Sequence, residues 1–96
     1  MATSTIKNEK GVVFEALYIN NAIDLDTLIS SDKQGFYFIN NVLPTHSPSD
    51  ISQAYYGTLV FFTGTQMLFT GSEFYVRVYR GTSWKAWKKV TMTTVS

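Results

Sequence analysis

Apolar and polar positions alternate with a period of two most cleanly in one run of the second half of the chain. In EFYVRVY, Phe74, Val76 and Val78 fall on one side and Tyr75, Arg77 and Tyr79 on the other, the pattern of a strand with one dry and one mixed face. TLVFFT, QMLFT and SWKAWKKV are runs of similar length and β-rich composition. The breaks between these runs are Thr63-Gly64-Thr65, Gly71-Ser72 and Arg80-Gly81-Thr82. Short strands of even length with glycine at every break predict an antiparallel meander.

The first half is less regular. GVVFEALYI (11–19) is extended in composition but apolar on both faces, with Val12, Phe14, Ala16 and Tyr18 on one and Val13, Glu15, Leu17 and Ile19 on the other. Such a strand is covered on two sides or used in an interface. In NNAIDLDTLISSDKQ the spacing of Leu25, Leu28 and Ile29 predicts one stripe of a short helix over residues 24–31, with Asp24 as its N-cap. GFYFINN (35–41) returns to strand composition after Gly35. Residues 42–57 hold both prolines and many turn formers, and are expected to form a surface loop. Residues 1–10 are polar and without period, an arm expected to order only against a partner.

With 96 residues the chain has room for a single core. The expected class is mainly β (α+β): a small antiparallel meander with one short helix and an N-terminal arm or strand. Residues 1–21 form the arm and interface strand, and residues 22–96 the β domain. The aromatic share of 16% is high, and rings of that size dominate cores and interfaces. A net charge of +1 lacks the basic face of a dedicated nucleic-acid binder. There is no cysteine, so disulfides and thiolate metal sites do not arise. The opening residues carry no apolar segment of a secretory signal, and no apolar run is long enough for a spanning helix.

Catalytic chemistry finds little footing. His46 is the single histidine, set in the proline-flanked loop with no carboxylate motif beside it in sequence. Asp24 and Asp26 form a D-x-D pair, but the helix cap accounts for Asp24 and no calcium-loop pattern follows. The phosphate-loop, serine-elbow and zinc-helix motifs are all absent. No catalytic residue, metal or cofactor is expected.

The densest constellation lies at residues 75–89, where Arg77, Arg80, Lys85, Lys88 and Lys89 supply five of the eight basic side chains among Tyr75, Tyr79, Trp84 and Trp87. One reading is an anionic or glycan partner stacked on the rings, with Tyr75, Arg77, Tyr79, Trp84 and Trp87 as its residues. The other is a closing edge strand whose rings pack inward and whose lysines discourage aggregation. A spacing of three puts Trp84 and Trp87 on opposite faces of an ideal strand unless a bulge or twist intervenes, so one buried and one partly exposed ring is expected.

The order DLDTLISSDKQGFYFI, GTLVFF, QMLF and FYVRVYRGTSWKAWKKV resembles the pyocin-knob domain of bacteriophage and tailocin tail fibres. Asp24, Leu25, Leu28, Gly35, Phe36, Tyr37, Gly57, Leu59, Gln66, Arg77, Gly81, Trp84, Trp87 and Lys88 carry the likeness, across about residues 22–90. The resemblance implies a non-enzymatic structural or assembly component of a virion, present as a homo-oligomer with a trimer favoured. In that setting Val12, Val13, Phe14, Leu17 and Ile19 would engage neighbouring subunits and the knob would project outward. The alternative it leaves open is a module that binds host surface polysaccharide.

Overall fold

The computed structural model describes residues 2–7 and 13–96, with side chains from Ala16 onward. Eight strands form one mixed sheet: β1 (Ala2–Lys7), β2 (Val13–Ile19), β3 (Gly35–Val42), β4 (Tyr55–Phe62), β5 (Thr65–Phe69), β6 (Phe74–Arg80), β7 (Ser83–Trp84) and β8 (Lys88–Val90). They lie in sequence order from β1 to β7, and β8 also pairs with β6. The chain is therefore mainly β. The strands β3 to β6 are the expected antiparallel meander.

Three expectations are corrected. Residues 2–7, read as an unpaired arm, run antiparallel to β2 from Ala2↔Tyr18 to Lys7↔Val13. The sheet thus crosses the boundary expected near residue 21. Next, β2 and β3 are parallel, with Leu17 beside Tyr37 and Ile19 beside Ile39. A parallel pair needs a long crossover, and residues 20–34 supply it. This segment is not the expected helix but two 3₁₀ turns, Leu25–Thr27 and Ser31–Lys33. Asp24 does cap the first turn, accepting from the Asp26 amide. Helix is lost because Leu25 and Leu28 are drawn into the core while Ile29 stays 47% exposed, so the three do not share one face.

The third correction concerns the two sides of the meander. Tyr75 and Arg77 are buried, whereas Phe74, Val76 and Val78 are only partly covered. The mixed face points inward because the crossover and the loop between β3 and β4 lie over it and give its polar atoms partners. The core on this side consists of Ile19, Leu25, Leu28, Tyr37, Ile39, Leu59, Phe61, Leu68 and Tyr75. Pro44 and Pro48 of the loop are fully buried, so that loop is a covering layer as much as a surface connection. The Tyr37 hydroxyl donates to the Lys33 carbonyl and ties the second turn to β3.

Ile19 is fully buried in this core and Leu17 packs against it, which leaves Ile19 no surface for a neighbouring subunit. Val13 and Phe14 stand in β2 opposite Lys7 and Ile6, and Val12 lies outside the described residues.

The turns follow their sequences. Phe62 pairs with Thr65 around Thr63-Gly64, whose φ values of 49° and 66° are both positive, as a two-residue type I′ turn requires. Gly57 is a matter of space: a Cβ there would lie 3.1 Å from the Phe69 carbonyl oxygen and 3.1 Å from the Tyr55 ring.

The opposite face of the sheet has no covering layer among the described residues. Tyr18, Phe36, Phe38, Tyr56, Val60, Phe62, Met67, Phe69, Phe74 and Val76 follow one another across β2 to β6 through the strand registers. Phe69 and Phe74 stack at 4.5 Å, and Phe38 meets Tyr18 edge-on and Tyr56 nearly parallel. Phe62 is 62% exposed and Tyr56 58%. The molecule is accordingly a slab, 41 × 38 × 24 Å.

Candidate functional site

The register of the last two strands decides where the tryptophans go. Against β6, Tyr79 pairs with Trp84 and Arg80 with Ser83, whereas Phe74 pairs with Val90, Tyr75 with Lys89 and Val76 with Lys88. The paired numbers sum to 163 in the first set and 164 in the second, so one extra residue is accommodated between Lys85 and Trp87. A bulge of this kind lets two residues oppose one. SWKAWKKV is consequently two short strands joined by a bulge. Trp84 and Trp87, which an unbroken strand would send to opposite faces, both end on the inward face, and both rings are half-buried.

Arg77 lies against the two indoles, its guanidinium carbon 4.5 Å from the Trp84 ring centre and 4.6 Å from that of Trp87. Its side chain is 4% exposed. Four neighbours make that burial tolerable. Nε donates to Gln66 Oε1 at 2.9 Å, Nη1 donates to Asp26 Oδ1 at 2.8 Å, and the rings offer their negative faces. Nη2 alone has no acceptor among the described residues. Burial pushes the guanidinium down from its usual pKa and the Asp26 carboxylate opposes that shift.

Gln66, fully buried on β5, closes the network from the other side. Its Nε2 donates to the Leu25 carbonyl at 2.8 Å and, more weakly, to that of Leu28 at 3.4 Å. These are the carbonyls of the first 3₁₀ turn and its end. Trp84 Nε1 donates to the Asp26 carbonyl at 3.2 Å, and Trp87 Nε1 to the His46 carbonyl at 2.7 Å. Both indoles thus fasten loops to the end of the sheet as well as covering Arg77.

His46 is not the isolated loop residue its sequence position suggests. Its Nδ1 is 2.7 Å from Asp24 Oδ1 and 3.3 Å from Asp26 Oδ2. The hydrogen bond to Asp24, then the charge of Asp26, raises the imidazole pKa above its ordinary value. The Asp24 carboxyl is lowered, first by His46 and then by the Asp26 amide. His46 holds a left-handed φ of 64°, an uncommon conformation for a residue with a Cβ. It is kept there by the Thr45 amide on the Ile23 carbonyl, the Leu25 amide on the Thr45 carbonyl, and Trp87. Ligand atoms of Asp24, Asp26 and His46 lie within 4.8 Å of one another, a spacing suited to a cation. The histidine proton and Arg77 already account for that arrangement without one.

Between the 46–50 loop and the β7–β8 bulge runs an open cleft of about 620 Å³. Tyr75 and Arg77 lie at its base, Trp84, Lys85 and Trp87 on one side, and His46, Ser49 and Asp50 on the other. Lys89 Nζ bridges to Asp50 Oδ2 at 2.7 Å, which holds that carboxyl below its ordinary pKa. Burial, and then the hydrogen bond to Asp50, raises the Tyr75 hydroxyl.

Of the five residues read as a glycan site, the structure gathers Tyr75, Arg77, Trp84 and Trp87 here. Tyr79 lies behind Trp84, edge-on at 5.4 Å, outside the lining. Sequence reasoning missed Asp26, His46, Asp50 and Gln66 as parts of this region. A usable signal existed for Gln66, a polar residue at a position whose neighbours alternate inward. None existed for His46 and Asp50, which reach the site through the path of a loop.

No family model, curated protein or solved structure matches the chain.

Proposed function

We propose that this chain is a non-enzymatic structural module of a bacteriophage particle, a tail-fibre or accessory fibre protein that works as a homo-oligomer. The observation that carries the reading is the aromatic face formed by Phe38, Tyr56, Phe62, Phe69 and Phe74, over which no layer lies among the described residues. Across β3, β4 and β5 this face holds no charged residue among the described ones. Contiguous exposed apolar surface of this kind marks a protein–protein contact. Its neutrality suits another copy of itself, since like charges do not meet. The resemblance of residues 22–90 to fibre knobs supplies the setting, and a likeness of fold leaves function to be tested.

Native mass spectrometry of the purified chain is the direct test. Assemblies at multiples of the 10.9 kDa protomer, three first, are expected. Phe62→Asp and Phe69→Asp, placed on exposed side chains, should return the protein to single folded protomers. A wild-type chain that stays monomeric at tens of micromolar would remove the basis of the reading.

A second reading, recognition of a host surface glycan, is favoured by the cleft that brings Tyr75, Arg77, Trp84 and Trp87 together. Aromatic walls with a few polar groups are the usual lining of small-ligand sites.

A further inference from the structure

Resting on the second reading, we infer that the cleft takes a short anionic saccharide and that Lys85 is the charge that selects it. The carboxylates of the lining are already answered. Asp26 is paired with Arg77 and faces His46, and Asp50 is paired with Lys89. Lys85 is exposed at the lip and has no ion pair among the described residues. Its amide donates to the Val78 carbonyl at 2.8 Å, which fixes its backbone at the start of the bulge.

At the base of the cleft Arg77 and Asp26 answer each other, so the excess charge of the lining is the one unpaired lysine, and Arg77 Nη2 keeps a buried N–H with no acceptor among the described residues. The cleft therefore offers more positive than negative charge to whatever enters.

Its remaining surface suits a sugar. Trp87 is half-buried and lines the cleft, and Ser49 stands on the facing wall, while the Ser47 hydroxyl is taken up by the Pro44 carbonyl and the Tyr55 hydroxyl. A volume of about 620 Å³ lies within the range of small-ligand sites, about 300–1,000 Å³. The ligand so described is a pyranose segment carrying a carboxylate or a phosphate, its ring against Trp87 and its anion at Lys85.

The purified chain in its native assembly is titrated with trigalacturonate, with glucose 6-phosphate and with neutral maltotriose. Tryptophan fluorescence and calorimetry are read at 50 and 300 mM NaCl. At least one of the anionic probes should bind at least tenfold more tightly than maltotriose, and which one shows whether carboxylate or phosphate is the anion. Lys85→Glu should weaken that binding at least tenfold while leaving the melting temperature unchanged. Maltotriose binding as tightly as the anionic probes would overturn the inference and leave glycan recognition standing. No saturable binding of any probe would overturn both. Anionic binding that Lys85→Glu leaves intact would place the ligand elsewhere and overturn the site.

Discussion

Gln66 and Arg77 face each other across β5 and β6, and the 2.9 Å bond from Arg77 Nε to Gln66 Oε1 joins the two polar side chains of the sheet that are buried among the described residues. Each also reaches the crossover, Gln66 at the Leu25 carbonyl and Arg77 at Asp26. The pair therefore holds the 3₁₀ turn on the sheet in place of the helix that the leucine spacing suggests.

Gln66→Leu should destabilise the chain by about 2–4 kcal/mol, since it leaves the Arg77 Nε–H without its acceptor and takes the side-chain donor from the Leu25 carbonyl, which keeps only the Leu28 amide. Arg77→Met removes the buried charge but leaves Gln66 Oε1 without its donor and Asp26 without its cation, and should cost a similar amount. A double-mutant cycle of the two, followed by urea unfolding, should return a coupling of about 1–3 kcal/mol. Additive effects would mean that the two residues act separately.

Trp84→Ala should cost about 3 kcal/mol and Trp87→Ala less, near 2 kcal/mol. Trp84 meets the core edge-on at Phe61, 6.2 Å between centres, and Tyr79. Trp87 sits at the end of the bulge over Arg77. Thermal melts of the two variants give the order, and a larger loss for Trp87 would contradict it.

His46 makes stability depend on pH with a definite sign. Its folded pKa is raised, so its contribution is complete below the ordinary value of 6.5 and disappears as pH rises through the higher folded value. The lowered Asp24 works in the opposite sense, its contribution present above 3.8 and lost as pH falls through its folded value. Asp24, Asp26 and Arg77 are the charges acting on the imidazole. Melting temperatures should fall as pH rises above 6.5, and His46→Gln should flatten the decline. An unchanged slope in the variant would show that the triad does not couple to folding.

Gly57→Ala should destabilise by about 1–3 kcal/mol. The new methyl would crowd the Phe69 backbone oxygen at 3.1 Å and the Leu68 side chain at 3.3 Å, and the backbone atom cannot turn aside. Chemical denaturation measures this directly, and a neutral substitution would mean that the β4–β5 spacing adapts.

Short β-rich runs, with clean alternation in β6, determined the meander, and the glycines and Thr63-Gly64 determined its turns, because strand composition and positive φ are local demands that single residue types meet. The side chains of Tyr75, Arg77, Trp84 and Trp87 were legible as a constellation for the same reason. Which face of β6 turns inward was not. Local pattern favours hiding Phe74, Val76 and Val78, and the choice fell to the crossover and loop that give Arg77 and Tyr75 their partners. The parallel β2–β3 pairing, the union of His46 with Asp24 and Asp26, and the cleft against Asp50 join residues 20 or more apart in the chain. A bulge of one residue placed both indoles on one face. Such features depend on loop paths and strand register, which are settled only when the layers pack together.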